Sequence, residues 1–230
     1  MNAIFVVSVI ALAACADSSA RMPASPTLRT LYDLPPLSAL APRRTALVLV
    51  DFQAEFFHGG LALPDAGAAR DHAALLLAWA RAAGLQVVHV RNVTRPHSRL
   101  FAPESPHSAI VEALAPRPGE LVVTKPTGGA FTRTDLESQL RERGVDTLVI
   151  AGLMTHLAVA MTAQDAAVFG FQVIVVADAC ATRALPSALD GTTLPAAVLH
   201  RAALTAIADR FADVLTTSEV RSLPMIERAS

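Results

Sequence analysis

The stretch Thr45-Ala46-Leu47-Val48-Leu49-Val50-Asp51 is a continuous apolar run that ends in an acidic residue. A run of this length without polar alternation is typical of a parallel strand that is covered on both faces. An Ala- and Leu-rich helical pattern follows at Pro64–Ala83 and is closed by Gly84, and a second strand pattern follows at Gln86–Val90. The succession of strand, helix and strand predicts a right-handed crossover between parallel strands.

The same alternation continues toward the C-terminus. Further strands are predicted at Glu120–Thr124, Asp146–Ala151, Phe171–Ala177 and Asp213–Thr216. Further helices are predicted at Thr134–Arg143, Thr155–Phe169 and Thr193–Phe211. The pattern therefore predicts a three-layer α/β/α fold with a doubly wound, mostly parallel, six-stranded sheet of Rossmann-like type.

Composition limits both the number of domains and the class of ligand. With 230 residues, of which 53% are hydrophobic, the chain can bury a substantial core within one domain. A formal net charge of -1 gives no electrostatic basis for binding nucleic acid or an anionic membrane. One Trp and one Tyr also leave no platform for stacking bases. We therefore expect a small-molecule ligand.

The N-terminal region has two interpretations. Residues 1–21 include an apolar run that ends in Leu12-Ala13-Ala14-Cys15, which resembles a lipoprotein signal and would give a periplasmic protein anchored at Cys15. No Lys or Arg precedes the run, and the alternative is a start at Met22, which would give a cytoplasmic protein. The run is too short for a transmembrane helix.

Three further segments follow the N-terminal region. Residues 22–44 are predicted to form an irregular, Pro-rich arm, residues 45–220 the α/β domain and residues 221–230 a tail.

Polar residues follow several of the predicted strands. Asp51 comes after the first strand, Lys125 after the third, and the stretch Gly152–Ala158 after the fourth. The carboxyl ends of parallel strands meet at one edge of the sheet, so these residues are expected to converge at one site. No Gly-x-Gly-x-x-Gly follows the first strand and no Walker-type loop is present, so a nucleotide cofactor has no motif to support it.

Five short motifs, taken together, resemble a known superfamily. They are Asp51-Phe52-Gln53, Lys125, Gly152-x-x-Thr155 leading to Ala158, Thr162-Ala163-x-Asp165-Ala166, and Val175-x-x-Asp178-Ala179. The combination is similar to the isochorismatase-like cysteine hydrolases, which include nicotinamidases, carbamoylsarcosine amidases and isochorismatases. The similarity extends from about Ala46 to Val214. Met154-Thr155-His156 and Asp178-Ala179-Cys180-Ala181-Thr182-Arg183 are most similar to the amide-hydrolysing members.

The resemblance implies an Asp/Lys/Cys catalytic triad, from which this sequence departs at one position. Asp51 and Lys125 match two members, but the third position is Ala158, which has no nucleophilic atom. The family places oxyanion donors at the backbone amides that correspond to Met154 and Ala158, and a cis peptide that corresponds to Leu153-Met154. These backbone donors do not depend on the side chain at residue 158.

Other site predictions concern the pocket wall and the cofactor. His156, Phe57 and Phe131 are predicted to contact substrate, with the loops at Pro96–Pro106 and Pro186–Pro195 setting specificity. Related nicotinamidases bind a metal through an aspartate and histidines. His58 and His89 lie outside such an arrangement here, so we predict no metal and no cofactor. The apolar C-terminal helix and the arm could serve homo-oligomer contacts.

Three functions remain open from the sequence. The first is hydrolysis of a C–N bond of a small amide, with activity put in doubt by Ala158. The second is hydrolysis of a vinyl ether, as in isochorismatases, which also lack the cysteine and use the aspartate as general acid. The third is binding of a small molecule without catalysis. Cys180 is a weak substitute nucleophile, because free cysteines are often buried and inert.

Overall fold

The computed structural model of the chain describes residues 25–227, which are built around a parallel sheet. The strands are β1 (Thr45–Val50), β2 (Gln86–Asn92), β3 (Leu121–Lys125), β4 (Thr147–Leu153), β5 (Gln172–Ala181), the short pair β6 (Leu185–Pro186) and β7 (Thr193–Leu194), and β8 (Asp213–Leu215). The central sheet has six parallel strands in the order β3-β2-β1-β4-β5-β8. The predicted six-stranded, doubly wound sheet is confirmed.

Helices cover both faces of this sheet. They are α1 (Leu28–Leu31), α2 (Ala66–Ala83), α3 (Leu136–Glu142), α4 (Ala160–Val168), α5 (Ala196–Arg210) and α6 (Thr217–Ser222). One hydrophobic cluster joins α2 and α6 to one face of the sheet, and a second joins α3, α4 and α5 to the other. Alternate residues of β1 enter the two clusters, which is why its sequence is apolar throughout. The three-layer architecture is therefore confirmed.

Some predicted boundaries were wrong, each for a local reason. The helix predicted from Thr193 begins only at Ala196, because Thr193–Leu194 pairs with Leu185–Pro186 and Pro195 follows. The arm predicted to be irregular contains α1, at whose start the Thr27 hydroxyl accepts a hydrogen bond from the Thr30 N–H. Helix α6 was not predicted, although its capping box begins at Thr216.

The strands near the candidate site also extend further than predicted. β4 continues to Leu153 and β5 to Ala181, because a register shift lets Gly152 pair with Cys180 and Leu153 with Ala181. Asp178, predicted to follow β5, therefore lies within it, and Lys125 is the last residue of β3. Both changes leave the polar residues at the carboxyl end of the sheet.

The switch point of the doubly wound sheet lies between β1 and β4. Chain connections leave these two strands toward opposite faces, which opens a crevice where ligands of such folds bind. At this point Val50 pairs with Gly152, and a Cβ at residue 152 would lie 2.5 Å from Val50 O and 2.6 Å from Val50 Cβ. A side chain at residue 152 would therefore separate the strands that carry the candidate site.

The two interpretations of residues 1–21, with Cys15 or Met22 as the decisive position, lie outside the described residues, as do residues 228–230 of the predicted tail. Within residues 25–227, no helix combines the length and the apolar character that crossing a membrane requires.

We predict that Gly152→Ala lowers the free energy of unfolding by about 2 to 3 kcal/mol, the cost of inserting a methyl group into a tightly packed site. The measurement is urea unfolding followed by circular dichroism. Gly67→Ala is the matched control, since a Cβ there meets nothing within 4 Å and Ala favours the helix by about 0.5 to 1 kcal/mol. Equal stability of Gly152→Ala and the native chain would contradict the close approach of β1 and β4.

Candidate active site

A buried ion pair joins the ends of β1 and β3. Lys125 Nζ lies 2.7 Å from Asp51 Oδ2, and the two side chains are 1% and 5% exposed. Nζ also donates a 2.7 Å hydrogen bond to Gly128 O. The structure therefore brings together the two charged residues that the sequence predicted, although they are 74 positions apart.

The second carboxylate oxygen of Asp51 has a different environment from the first. Oδ1 is buried and has no hydrogen-bond partner among the described residues. Burial raises the pKa of Asp51 to about 6, and the nearby Lys125 ammonium limits the increase. A carboxyl group with this pKa is mostly ionised at pH 7, but it can also exist as the acid at mildly acidic pH.

Asp51 leaves the strand in an uncommon backbone conformation. Its φ is 56°, which few residues other than Gly adopt, although Asp is one of those that tolerate it. The Asp51 N–H donates to Val90 O, and the Asp51 carbonyl accepts from the Gln53 N–H. These bonds fix the turn that directs the chain away from β1 toward the loops over the sheet edge.

A glycine loop connects the ion pair to the segment that carries Ala158. After β3 the chain passes Gly128 and Gly129, and a Cβ at residue 129 would lie 3.0 Å from Thr162 N. The Thr162 hydroxyl accepts from the Ala130 N–H and donates to the Ala158 carbonyl, over 2.9 and 2.6 Å. Residue 158 is thus held against the loop whose Gly128 carbonyl binds the lysine.

The turn after β4 provides the backbone groups expected at the site. The Leu153-Met154 peptide is cis, as the resemblance implied. Thr155–Val159 forms a π-helical turn that leads into α4 and replaces the regular first turn predicted from Thr155. The N–H groups of Leu157 and Val159 donate to the Met154 carbonyl. The first turn of a helix is where backbone N–H groups can stabilise an anion. The oxyanion donors at Met154 and Ala158 stay a prediction.

Gln53 has a structural role at the site that was not predicted from the sequence. Its side chain is buried, donates to the carbonyls of Asn92 and Ser108, and accepts from the Asn92 N–H. It therefore ties the end of β2 and the following loop to the turn that begins at Asp51. Its position two residues after Asp51 within the recognised motif was the available signal.

His156 lies beside the turn and is half-buried. Its Nδ1 is hydrogen-bonded to the Thr182 hydroxyl, and burial together with Arg183 lowers the pKa of its imidazole. The neighbouring Thr155 hydroxyl is bonded to His200 Nδ1 at 2.8 Å. A neutral His156 next to Ala158 can offer a hydrogen bond to a ligand, and its substrate contact stays a prediction.

The two aromatic residues predicted to contact substrate have different surroundings. Phe57 is half-buried at the margin of the cluster that contains α2, with the Arg70 guanidinium 5.9 Å from its ring centroid. Phe131 is buried with its ring 5.3 Å from that of Phe169 and 6.1 Å from that of Phe171. The last two precede β5 at the amino end of the strands. The contacts of Phe131 are therefore those of a core residue and lend its predicted substrate role no support.

Cys180 is enclosed by the sheet and is not activated. It pairs with Gly152 in the β4–β5 ladder and is 5% exposed. Burial raises the pKa of its thiol to about 12, with a further increase from Asp178. Since thiolate is the nucleophilic form, Cys180 cannot substitute for a catalytic cysteine at neutral pH.

Metal-ligand side chains are dispersed in the part of the chain that the structure describes. No three His, Cys, Asp or Glu residues within 25–227 are grouped so that they could hold a metal ion. His58 and His107 approach one another edge to face with ring centroids 5.6 Å apart, but a third ligand does not join them.

Comparison with known proteins identifies the family to which this sequence and fold are similar. A family model described as the isochorismatase domain matches residues 45–219. The chain is 33% identical over 84% of its length to the secreted isochorismatase effector Isc1 of Verticillium dahliae, covering 98% of it. It is 38% identical over 76% of its length to a streptothricin hydrolase of Streptomyces noursei, covering 69% of it.

Two further similarities bear on the chemistry and on the fold. The chain is 35% identical over 61% of its length to the maleamate amidohydrolase of Pseudomonas putida, of which it covers 74%. The crystal structure of an isochorismatase from Pseudomonas putida is similar with a TM-score of 0.78 and 31% identity, over 85% of this chain and 99% of that one.

We predict that Lys125→Met lowers the free energy of unfolding by about 3 kcal/mol, because it leaves the Asp51 carboxylate buried without its partner. The double variant Asp51→Asn/Lys125→Met, which buries no charge at either position, should lose less than the sum of the two single variants. Urea unfolding of all three measures the coupling.

The matched control for this cycle is Glu137→Gln, which breaks an exposed pair with Arg141 at 3.8 Å and should change stability by less than about 0.5 kcal/mol. Strictly additive losses in the double variant would mean that the two buried charges are not coupled.

Proposed function

The chain belongs to the isochorismatase family of hydrolases, and from this premise we propose that it binds a small amide at the Asp51–Lys125 site for hydrolysis of a C–N bond. The observation that supports the proposal most is the buried pair, which holds a carboxylate of pKa about 6 next to the turn of residues 153–158. A base of this pKa is suited to removing a proton from a nucleophile near neutral pH.

The relatives support an amide as the substrate class. One similar protein is named as an amidohydrolase of maleamate, and another as a hydrolase of streptothricin. A substrate carbonyl in the crevice between β1 and β4 would meet backbone N–H groups of the turn at Met154 and Ala158. Such donors stabilise the oxyanion that forms when a nucleophile adds to the carbonyl.

Ala158 excludes the covalent mechanism of the cysteine hydrolases. Its methyl group cannot form the thioester-type intermediate on which that route depends. The remaining groups, the carboxylate, the ammonium and the backbone donors, do not involve the side chain at residue 158. We therefore expect cysteine-type turnover to be lost, while the binding site and the proton-transfer group are retained.

We predict that Ala158→Cys creates an amidase. Against a panel of maleamate, streptothricin and small ureides, at least one compound should be hydrolysed at least about 10³-fold faster than by the native chain, since loss of the nucleophile slows a serine hydrolase by about 10⁶-fold. The measurement is ammonia or amine release. Iodoacetamide should abolish the gained activity, and Asp51→Asn in the same background should abolish it too.

The control for this prediction is Ala158→Cys/Cys180→Ala, which removes the buried thiol and should keep the gained activity. A folded Ala158→Cys protein that is inert toward the whole panel would contradict hydrolysis of amides. If that inert protein still bound a panel compound, the result would favour a binding protein without catalysis.

Hydrolysis of a vinyl ether is a second candidate, and the state of Asp51 favours it. Because the pKa of Asp51 is raised to about 6, an appreciable fraction is protonated at mildly acidic pH and could protonate the substrate carbon. A relative named as an isochorismatase effector is consistent with this chemistry. The absence of a cysteine at residue 158 would not impair this reaction, since hydrolysis of a vinyl ether does not need a protein nucleophile.

This second candidate predicts that pyruvate release from isochorismate decreases as pH rises. The general acid must be protonated, so kcat/KM should fall about 50-fold between pH 6 and pH 8, the ratio of the protonated fractions for a pKa of about 6. Lys125 is the one charged side chain paired with Asp51 in residues 25–227. Asp51→Asn should abolish the reaction, and a rate that increases with pH would exclude this role.

A further inference from the structure

One carboxylate oxygen of Asp51 has no hydrogen-bond donor within the described residues, where the nearby Asn92 N–H is donated to Gln53 Oε1. Lys125 Nζ binds Oδ2, while Oδ1 is buried and unpartnered among the described residues. Burying a charged oxygen without a donor is costly, so such an atom indicates a partner from outside the described residues. In a hydrolase crevice that partner is water or a substrate proton donor.

The position where the family carries sulfur is occupied by a smaller group. Ala158 is 4% exposed, and its carbonyl is held by the Thr162 hydroxyl. Replacing a thiol by hydrogen removes one heavy atom, and a water oxygen is of comparable size.

Three nucleophilic side chains close to residue 158 in the described fold are engaged in other contacts. The Thr155 hydroxyl is bonded to His200, and the Thr162 hydroxyl is bonded to the Ala130 and Ala158 backbone. Burial keeps the Cys180 thiol protonated. The groups around residue 158 thus leave water as the nucleophile that the carboxylate can activate.

We propose that the chain hydrolyses its amide by direct attack of a water molecule held between Asp51 Oδ1 and the Ala158 methyl group, without a covalent intermediate. This inference rests on the proposed function, because it uses the same crevice and the same class of substrate. It differs from the cysteine route in its nucleophile and in having one addition step instead of two.

The reaction balances with water as the only co-reactant. Asp51 Oδ1 takes a proton from water while the water oxygen forms a bond to the carbonyl carbon, and the carbonyl π pair moves to its oxygen. Backbone N–H groups of the turn stabilise that oxyanion. As the pair returns and the C–N bond breaks, the Asp51 carboxyl gives its proton to the leaving nitrogen, so the carboxylate is regenerated and the products are a carboxylic acid and an amine.

Lys125 has a positioning role in this step. Its ammonium stays on Oδ2 and on the Gly128 carbonyl, which fixes the carboxylate and favours its ionised form. Oδ1 is left as the proton acceptor. The Thr162 hydroxyl fixes residue 158 relative to the same loop. The carboxylate and residue 158, which bound the proposed water site, are therefore held by one network of hydrogen bonds.

The test compares the native chain with Ala158→Cys on whichever panel compound the variant hydrolyses. The native chain should hydrolyse the same compound more slowly, with no burst of the first product and with no loss of rate after iodoacetamide treatment. Asp51→Asn should lower the native rate by about 10²-fold or more, the scale of general-base catalysis. Cys180→Ala should leave the native rate unchanged.

A second variant tests the place of the water. Ala158→Val places two methyl groups where we propose the water and should abolish native hydrolysis, whereas Ala158→Gly removes a methyl group and should retain activity. Circular dichroism and thermal unfolding check that both variants fold.

The outcomes separate this inference from the proposed function. An active Ala158→Cys variant together with a native chain no faster than the uncatalysed reaction overturns direct water attack alone. A native rate that survives Asp51→Asn or Ala158→Val also overturns it. An Ala158→Cys variant that hydrolyses no panel compound overturns both, since the crevice would then not be an amide site.

Discussion

The contact between Asp51 and Lys125 is the constraint on which the site depends. Two buried charges are tolerated only when they are paired and hydrogen-bonded, so the ends of β1 and β3 must stay in register across β2. The lysine is also bound by Gly128, which extends the constraint to the loop after β3. The result is a carboxylate whose orientation is set by the fold and whose pKa is raised to about 6.

The hydrogen bonds around this pair form a scaffold that does not depend on the side chain at residue 158. Thr162 joins the loop to the Ala158 carbonyl, and Gln53 joins the turn after β1 to the end of β2. The side chain at residue 158 can therefore differ while the hydrogen bonds around it stay the same. A thiol, a methyl group with a water, or a methyl group facing a vinyl ether could each use the same carboxylate.

The sequence predicted the elements that depend on local pattern and missed those that depend on distant contacts. Apolar runs located the strands, and strand order then placed Asp51 and Lys125 together, because parallel strands end at one edge. The extension of β4 to Leu153 could not be predicted, since it follows from pairing with β5. The π turn at Thr155–Val159 was missed too, because it depends on Val159 N–H reaching the Met154 carbonyl, which residue pattern does not show. The loop before Phe131 lies against α4, where the Ala130 N–H binds the Thr162 hydroxyl. The ring of Phe131 therefore meets Phe169 and Phe171, which residue type alone does not reveal.

The protonation state of Asp51 distinguishes the chemistries that the site can support. Attack on an amide, by a thiol or by water, needs the carboxylate as a base and therefore becomes faster as pH rises through the pKa of Asp51. Protonation of a vinyl ether needs the acid and becomes slower over the same range. A pKa of about 6 leaves both forms accessible near neutrality. Burial of Asp51 therefore makes both proton acceptance and proton donation accessible. Which of the two occurs depends on the substrate bond that lies beside Oδ1.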